Sequence, residues 1–152
     1  MRGDKGAYEA VIESYRRLKA LGAEVYFGMT LSPWNIDQLD ATYESLKSRV
    51  PAMNWRDLHV NFLHESPHFF GNSGIKQNDV GKMEEVVAKL VEKRGLVRSG
   101  TDLLERLYLN QVPEYFVNKR SPLPCGSMAG HAFIDPTGMV YPCHIWDEPV
   151  AS

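Results

Sequence analysis

Cys125 and Cys143 are the only cysteines among the 152 residues, and they bracket a segment dense in turn-forming residues. Thiolates are strong ligands for soft metals, so two of them close in sequence read as half of a metal site. Between them, Asp135-Pro136-Thr137-Gly138 is a turn signal flanked by the apolar runs Ala132-Phe133-Ile134 and Met139-Val140-Tyr141. That pattern predicts a short β-hairpin carrying Cys143 back toward the Pro- and Gly-rich loop that holds Cys125. Two plainer readings stand beside it: small buried thiols of no chemical role, or a disulfide in an exported protein. His144, next to Cys143, is either a solvated side chain or a replacement ligand, since His can stand in for Cys on iron.

A second group with chemical potential lies earlier. Asp57-Leu58-His59-Val60-Asn61-Phe62-Leu63 alternates, with Leu58, Val60 and Phe62 on one face and His59, Asn61 and Leu63 on the other. A strand set between helices is normally apolar on both faces, so His59 and Asn61 face a polar cavity or solvent. The following loop adds His64, Glu65 and His68 with two aromatics, at the carboxyl end of the strand, where α/β sheets and barrels bind ligands. His59, Asn61, His64 and His68 are therefore candidates for orienting a substrate or moving protons. Read instead as a zinc or non-haem iron site, His59, His64, His68 and Glu65 have a spacing that matches no metal motif.

The elements that must position these residues follow from periodicity. Tyr8, Val11, Ile12, Tyr15, Leu18 and Leu21 predict a helix over roughly 6–21, with Gly22 as a left-handed C-terminal cap. Residues 24–31 read as a strand ended by Ser32-Pro33-Trp34. Asn35 and Gln38 have capping-box spacing, and Ile36, Leu39, Tyr43, Leu46 and Val50 form the stripe of a second helix stopped by Pro51. Val80, Met83, Val86, Val87, Leu90 and Val91 predict a third helix ending near Gly95. Leu104, Leu107, Tyr108, Gln111 and Tyr115 predict a fourth, started by Thr101 and disturbed near Pro113. The order is α-β-α-β-α-α followed by a loop and a hairpin. Two strands cannot make a self-sufficient parallel sheet covered on both faces, so the chain reads as part of something larger.

Composition narrows the classes. The formal charge of −2 gives no reason to expect a nucleic-acid partner, and no apolar run is long enough to span a bilayer. No charged-then-apolar leader follows Met1, and a reducing, cytoplasmic home is the expectation. The length suits one core rather than two generous domains.

Written as a pattern, the cysteine segment is Cys125, twelve residues, Gly138, four residues, Cys143. It resembles the opening of the auxiliary iron–sulfur domain, SPASM or its shorter twitch form, at the C-terminal end of many radical S-adenosylmethionine (radical SAM) enzymes. Arg2-Gly3-Asp4-Lys5-Gly6-Ala7-Tyr8 likewise resembles the stretch opening the helix after the fourth strand of the radical SAM barrel. Residues 23–31 look like the fifth strand, Thr30 to Asn35 like the Thr-x-x-x-x-Asn segment after it, and 57–63 like the sixth. The resemblance implies an α/β fold, the C-terminal part of a partial (β/α)6 barrel over 1–117, followed by the start of a small β-hairpin auxiliary-cluster domain over 118–152. The boundary falls in the Asn118–Leu123 linker.

The resemblance further implies that Cys125 and Cys143 ligate an auxiliary [4Fe-4S] cluster, whose other ligands lie outside this sequence. It implies that Arg2, Thr30 and Asn35 contact S-adenosylmethionine, with Asn35 as a plain N-cap the competing reading. An electron-donor protein and a small-molecule or peptide substrate are the implied partners. The departure is plain: the Cys-x-x-x-Cys-x-x-Cys loop that binds the cofactor-reducing cluster is absent, because no cysteine precedes Cys125. The piece alone is therefore expected to be inactive, supplying cofactor and substrate wall plus auxiliary-cluster ligands. The alternative is a non-catalytic α/β interaction module with structural cysteines.

Overall fold

The computed structural model describes residues 6–63, 79–118, 124–143, 146 and 148–151. The sequence order of elements is helix α1 (Ala7–Ala20), strand β1 (Phe27–Leu31), helix α2 (Leu39–Arg49), strand β2 (Leu58–Phe62), helix α3 (Val80–Arg94), helix α4 (Gly100–Asn118) and the short strands β3 (Phe133–Ile134) and β4 (Val140–Tyr141). The class is mixed α/β. Among the described residues, no helix is long and apolar enough to cross a membrane.

β1 and β2 pair in parallel, with Gly28 opposite His59 and Thr30 opposite Asn61. The expected alternation holds: Leu58, Val60 and Phe62 are buried with Phe27 and Leu31, while Gly28, Thr30 and Asn61 are exposed. The apolar face is covered by helices whose stripes supply Ile12, Tyr15, Leu39, Tyr43, Leu46, Met83, Val87 and Leu90 to one core. Tyr15 stacks on Phe27 with ring centroids 4.1 Å apart, and Tyr43 stacks on Trp55 at 3.8 Å. α1 ends as its sequence predicts. Gly22 takes φ +78° and Ala23 N–H donates back to Leu18 O, a closure that a left-handed residue permits.

Three local expectations are corrected. The Asn35/Gln38 capping box does not form, because Ser32-Pro33-Trp34-Asn35 closes as a turn in which Asn35 N–H donates to Ser32 O, and the Asn35 side chain is drawn back into it. α4 is capped by Ser99 rather than Thr101: Ser99 Oγ accepts from Asp102 N–H, and Asp102 Oδ2 accepts from Arg98 N–H. The buried stripe of α4 is Leu109, Val112 and Phe116, whereas Leu104 and Leu107 are exposed. This helix is apolar on more than one face, so period alone does not choose the face that packs. Pro113 lies inside it without ending it.

β3 and β4 pair antiparallel through the expected turn, with Gly138 at φ +92° donating its N–H to Asp135 O. Asp135 organises that turn. Its Oδ1 accepts from Thr137 Oγ1, Thr137 N–H and Met139 N–H, and its Oδ2 lies 3.4 Å from the Tyr141 hydroxyl. Chiefly through the Thr137 hydroxyl, these bonds hold the carboxyl below its ordinary pKa. A depressed folded-state pKa stabilises the turn fully above the unfolded carboxylate value of about 3.9, and that contribution is lost as pH falls toward the lower folded value. Amide exchange at Thr137 and Met139 is expected to quicken as pH drops below about 4 in wild type, after correction for intrinsic rates, and to be insensitive to pH there in Asp135→Asn. Val140 also pairs with Ala151, so the chain returns along β4 beyond Cys143, a feature with no sequence signal.

Candidate functional site

The uncovered face of the parallel pair carries Gly28, Thr30, His59 and Asn61, placed by the two-residue period of adjacent strands. The structure divides this group. Thr30 and Asn61 lie side by side near the carboxyl ends of their strands and are exposed. His59, near the start of β2, is half-buried: its ring stacks on Tyr26 at 4.2 Å, and Nδ1 lies 3.6 Å from Glu105 Oε2 on α4. Glu105 Oε1 in turn pairs with Arg94 at 3.1 Å.

The network continues through Lys19, whose ammonium lies over the rings of Tyr15 and Tyr26 and pairs with Asp57 at 3.2 Å. Burial, followed by the hydrogen bond to Asp57, pushes the Tyr15 hydroxyl well above its usual range. This cluster ties the amino ends of both strands to α1 and α4, an arrangement suited to holding the sheet. Sequence reasoning missed it, because Glu105 and Arg94 have no local motif.

Asn35 serves the loop after β1. Its Oδ1 accepts from Ser32 N–H at 2.7 Å and from Ser32 Oγ at 2.9 Å, and its Nδ2 donates to Thr30 O at 3.0 Å. The side chain thereby fastens the turn beside Thr30 and leaves one amide hydrogen for a further acceptor. Arg2, His64 and His68 lie outside the described residues, as does Glu65.

The two strands differ at their outer edges. Leu63 N–H donates to Leu31 O, so Leu58, Val60 and Phe62 turn their backbone groups away from β1. That edge is closed by side chains: Arg94 donates to Leu58 O, and the Tyr108 hydroxyl bonds the Phe62 backbone. Beyond β1, a groove of about 620 Å³ runs between α1 and the strand, lined by Ala10, Val11, Ser14, Leu18, Tyr26 and Gly28. A Cβ built on Gly28 meets nothing within 4 Å.

Cys125 and Cys143 are both free thiols, the first exposed and the second partly so. Cys125 opens a tightly closed loop: Gly130 N–H and Ala129 N–H donate to Gly126 O, Met128 N–H donates to His131 O, and Met128 takes φ +63°. The closure sets Ser127 Oγ 3.1 Å from Cys125 Sγ. The Ser127 hydroxyl, then its N–H, draws the thiol below its ordinary pKa, favouring the thiolate. A thiol is a soft donor of the kind that iron–sulfur centres use. Among the described residues, no three His, Cys, Asp or Glu side chains are gathered for a metal ion.

Comparison of the chain with protein families, curated proteins and solved structures finds no match.

Proposed function

We propose that this chain is the C-terminal part of a radical SAM enzyme acting on a substrate still to be identified, with residues 118–152 beginning an auxiliary-cluster segment. The observation that carries the reading is the parallel β1–β2 pair, apolar and helix-covered on one face, with Thr30 and Asn61 side by side on the other. A barrel wall has that polarity: side chains on one face pack under helices, and those on the other line a cavity. The groove beside β1 has room for a further strand, while Arg94 and Tyr108 close the far edge of β2 as the last strand of an open barrel requires.

Each residue then has a chemical task. Thr30 and Asn61 present a hydroxyl and an amide to cofactor or substrate, and Asn35 holds the Thr30 turn in place. Arg2 would pair with the carboxylate of S-adenosylmethionine, and His64 and His68, in the loop that follows β2, would orient substrate. Cys125 and Cys143 would hold iron of a [4Fe-4S] cluster, which supplies a one-electron or Lewis-acidic centre when bound. An electron-donor protein would serve the complete enzyme.

Iron analysis of the complete protein, purified without oxygen, tests the assignment. Cys125→Ala or Cys143→Ala is expected to lower iron by one cluster's worth, about four atoms per chain, and to remove the matching share of the brown charge-transfer absorption. Unchanged iron in both variants would defeat the ligand assignment. A colourless, iron-free wild type would return the chain to a non-catalytic α/β interaction module.

A further inference from the structure

We propose that the exposed face of α4 is the surface on which two copies of this chain associate, their helices running antiparallel, an association independent of the cluster assignment. α4 is apolar on two faces. Leu109, Val112 and Phe116 fill the core, while Leu104, Leu107 and Tyr108, spaced as i, i+3 and i+4, lie on a second face with Leu103 at its margin. These four residues are 41–69% exposed and leave about 400 Å² of apolar surface in water, a patch of the size that marks contact sites on soluble proteins. Leu104, Leu107 and Tyr108 head the stripe that helical period picks out of the sequence, and packing within the chain leaves that stripe in water.

Area and charge commit the face to a second copy. Two such faces in contact bury about 800 Å² of apolar surface, and the polar rim takes the total past about 1,000 Å², the least expected of a specific pair. The apolar residues all lie in the first half of α4, so the two faces overlap fully only where the helices cross between Leu104 and Tyr108. In an antiparallel pair that crossing sets Arg98, exposed just ahead of the helix, level with Glu114 of the other copy, because the two are equally far along the chain from the crossing point. Glu114 is exposed toward the end of α4, whose last turn carries no basic residue, so its carboxylate lies near the negative end of its own helix dipole. The antiparallel copy supplies the missing cation and the positive end of its helix. A parallel copy would set Glu114 against Glu114.

Sedimentation of the complete protein over a concentration series is the test. Wild type is expected to show a reversible monomer–dimer equilibrium in the micromolar range. Leu104→Lys is expected to weaken the dimer at least about tenfold while keeping the wild-type circular dichroism, since the position is exposed. Leu21→Lys, at an exposed leucine on the end of α1, should leave the equilibrium unchanged. Arg98→Glu and Glu114→Arg should each weaken the dimer, and the two together should restore it; if Leu104→Lys does not fold, this pair decides the same question. A wild type that stays monomeric throughout the series would overturn the proposal and give the face to a different partner. A dimer unmoved by Leu104→Lys would overturn it in favour of another surface. A dimer lost in both single reversals and not restored by their combination would overturn the antiparallel arrangement.

Discussion

Arg94→Ala is expected to destabilise the protein by about 3–5 kcal/mol, measured as the loss of unfolding free energy in urea. Arg94 is the last residue of α3 and only 8% exposed, and its guanidinium joins three elements. It donates to Leu58 O at the edge of β2 and pairs with Glu105 on α4. Burial lowers its pKa from the ordinary arginine value, opposed by Glu105 and Asp102 and assisted by Arg56. The charge is therefore retained against a real desolvation cost, and the intact pair is worth little net.

Breaking the pair is another matter, because truncation strands the Glu105 carboxylate and leaves Leu58 O without its donor. The same logic predicts that Arg94→Met combined with Glu105→Leu loses less than Arg94→Ala alone, since no buried charge remains. A loss below about 1 kcal/mol for Arg94→Ala would mean that water replaces the guanidinium at both acceptors.

That cluster also marks the limit of what the sequence discloses. The stripes of α2 and α3 were legible because each helix is polar outside one face, and the faces expected from Leu39, Tyr43 and Leu46, and from Met83, Val87 and Leu90, are the buried ones. The alternation of β2 was legible for the same reason. α4 resisted, since its apolar residues surround the helix and tertiary packing alone selects Leu109, Val112 and Phe116. α1 was legible only in part: Ile12 and Tyr15 are buried, while Val11 and Leu18 of the same stripe line the open groove.

At the site, spacing picked out the two cysteines and the hairpin turn, which are local features. The partners that matter most to chemistry were hidden because they depend on how distant or tightly folded segments meet. His59 meets Glu105 only once α4 is packed beside β2, a meeting that no local pattern announces. Asn35 shows a competition between two legitimate local signals. Pro33 presets a turn that outbids the helix cap for the same side chain.

Leu31→Ala should cost about 2–5 kcal/mol, the range for emptying a buried leucine site, while Thr30→Ala beside it should stay within about 0.5 kcal/mol of wild type. The contrast follows from the two-residue period of β1. Leu31 is 0% exposed and projects into the core shared with Leu58 and Met53, whereas Thr30 is exposed on the opposite face, opposite Asn61. A cavity under Leu31 is closed only by shifting a helix or the sheet, and Leu31 O also receives Leu63 N–H, so the strand end has little freedom to collapse. Chemical denaturation of the two variants distinguishes a fold residue from a site residue at adjacent positions. If Thr30→Ala proved as costly as Leu31→Ala, the uncovered face would be part of the core, and the cavity-lining role proposed for Thr30 and Asn61 would fall with it.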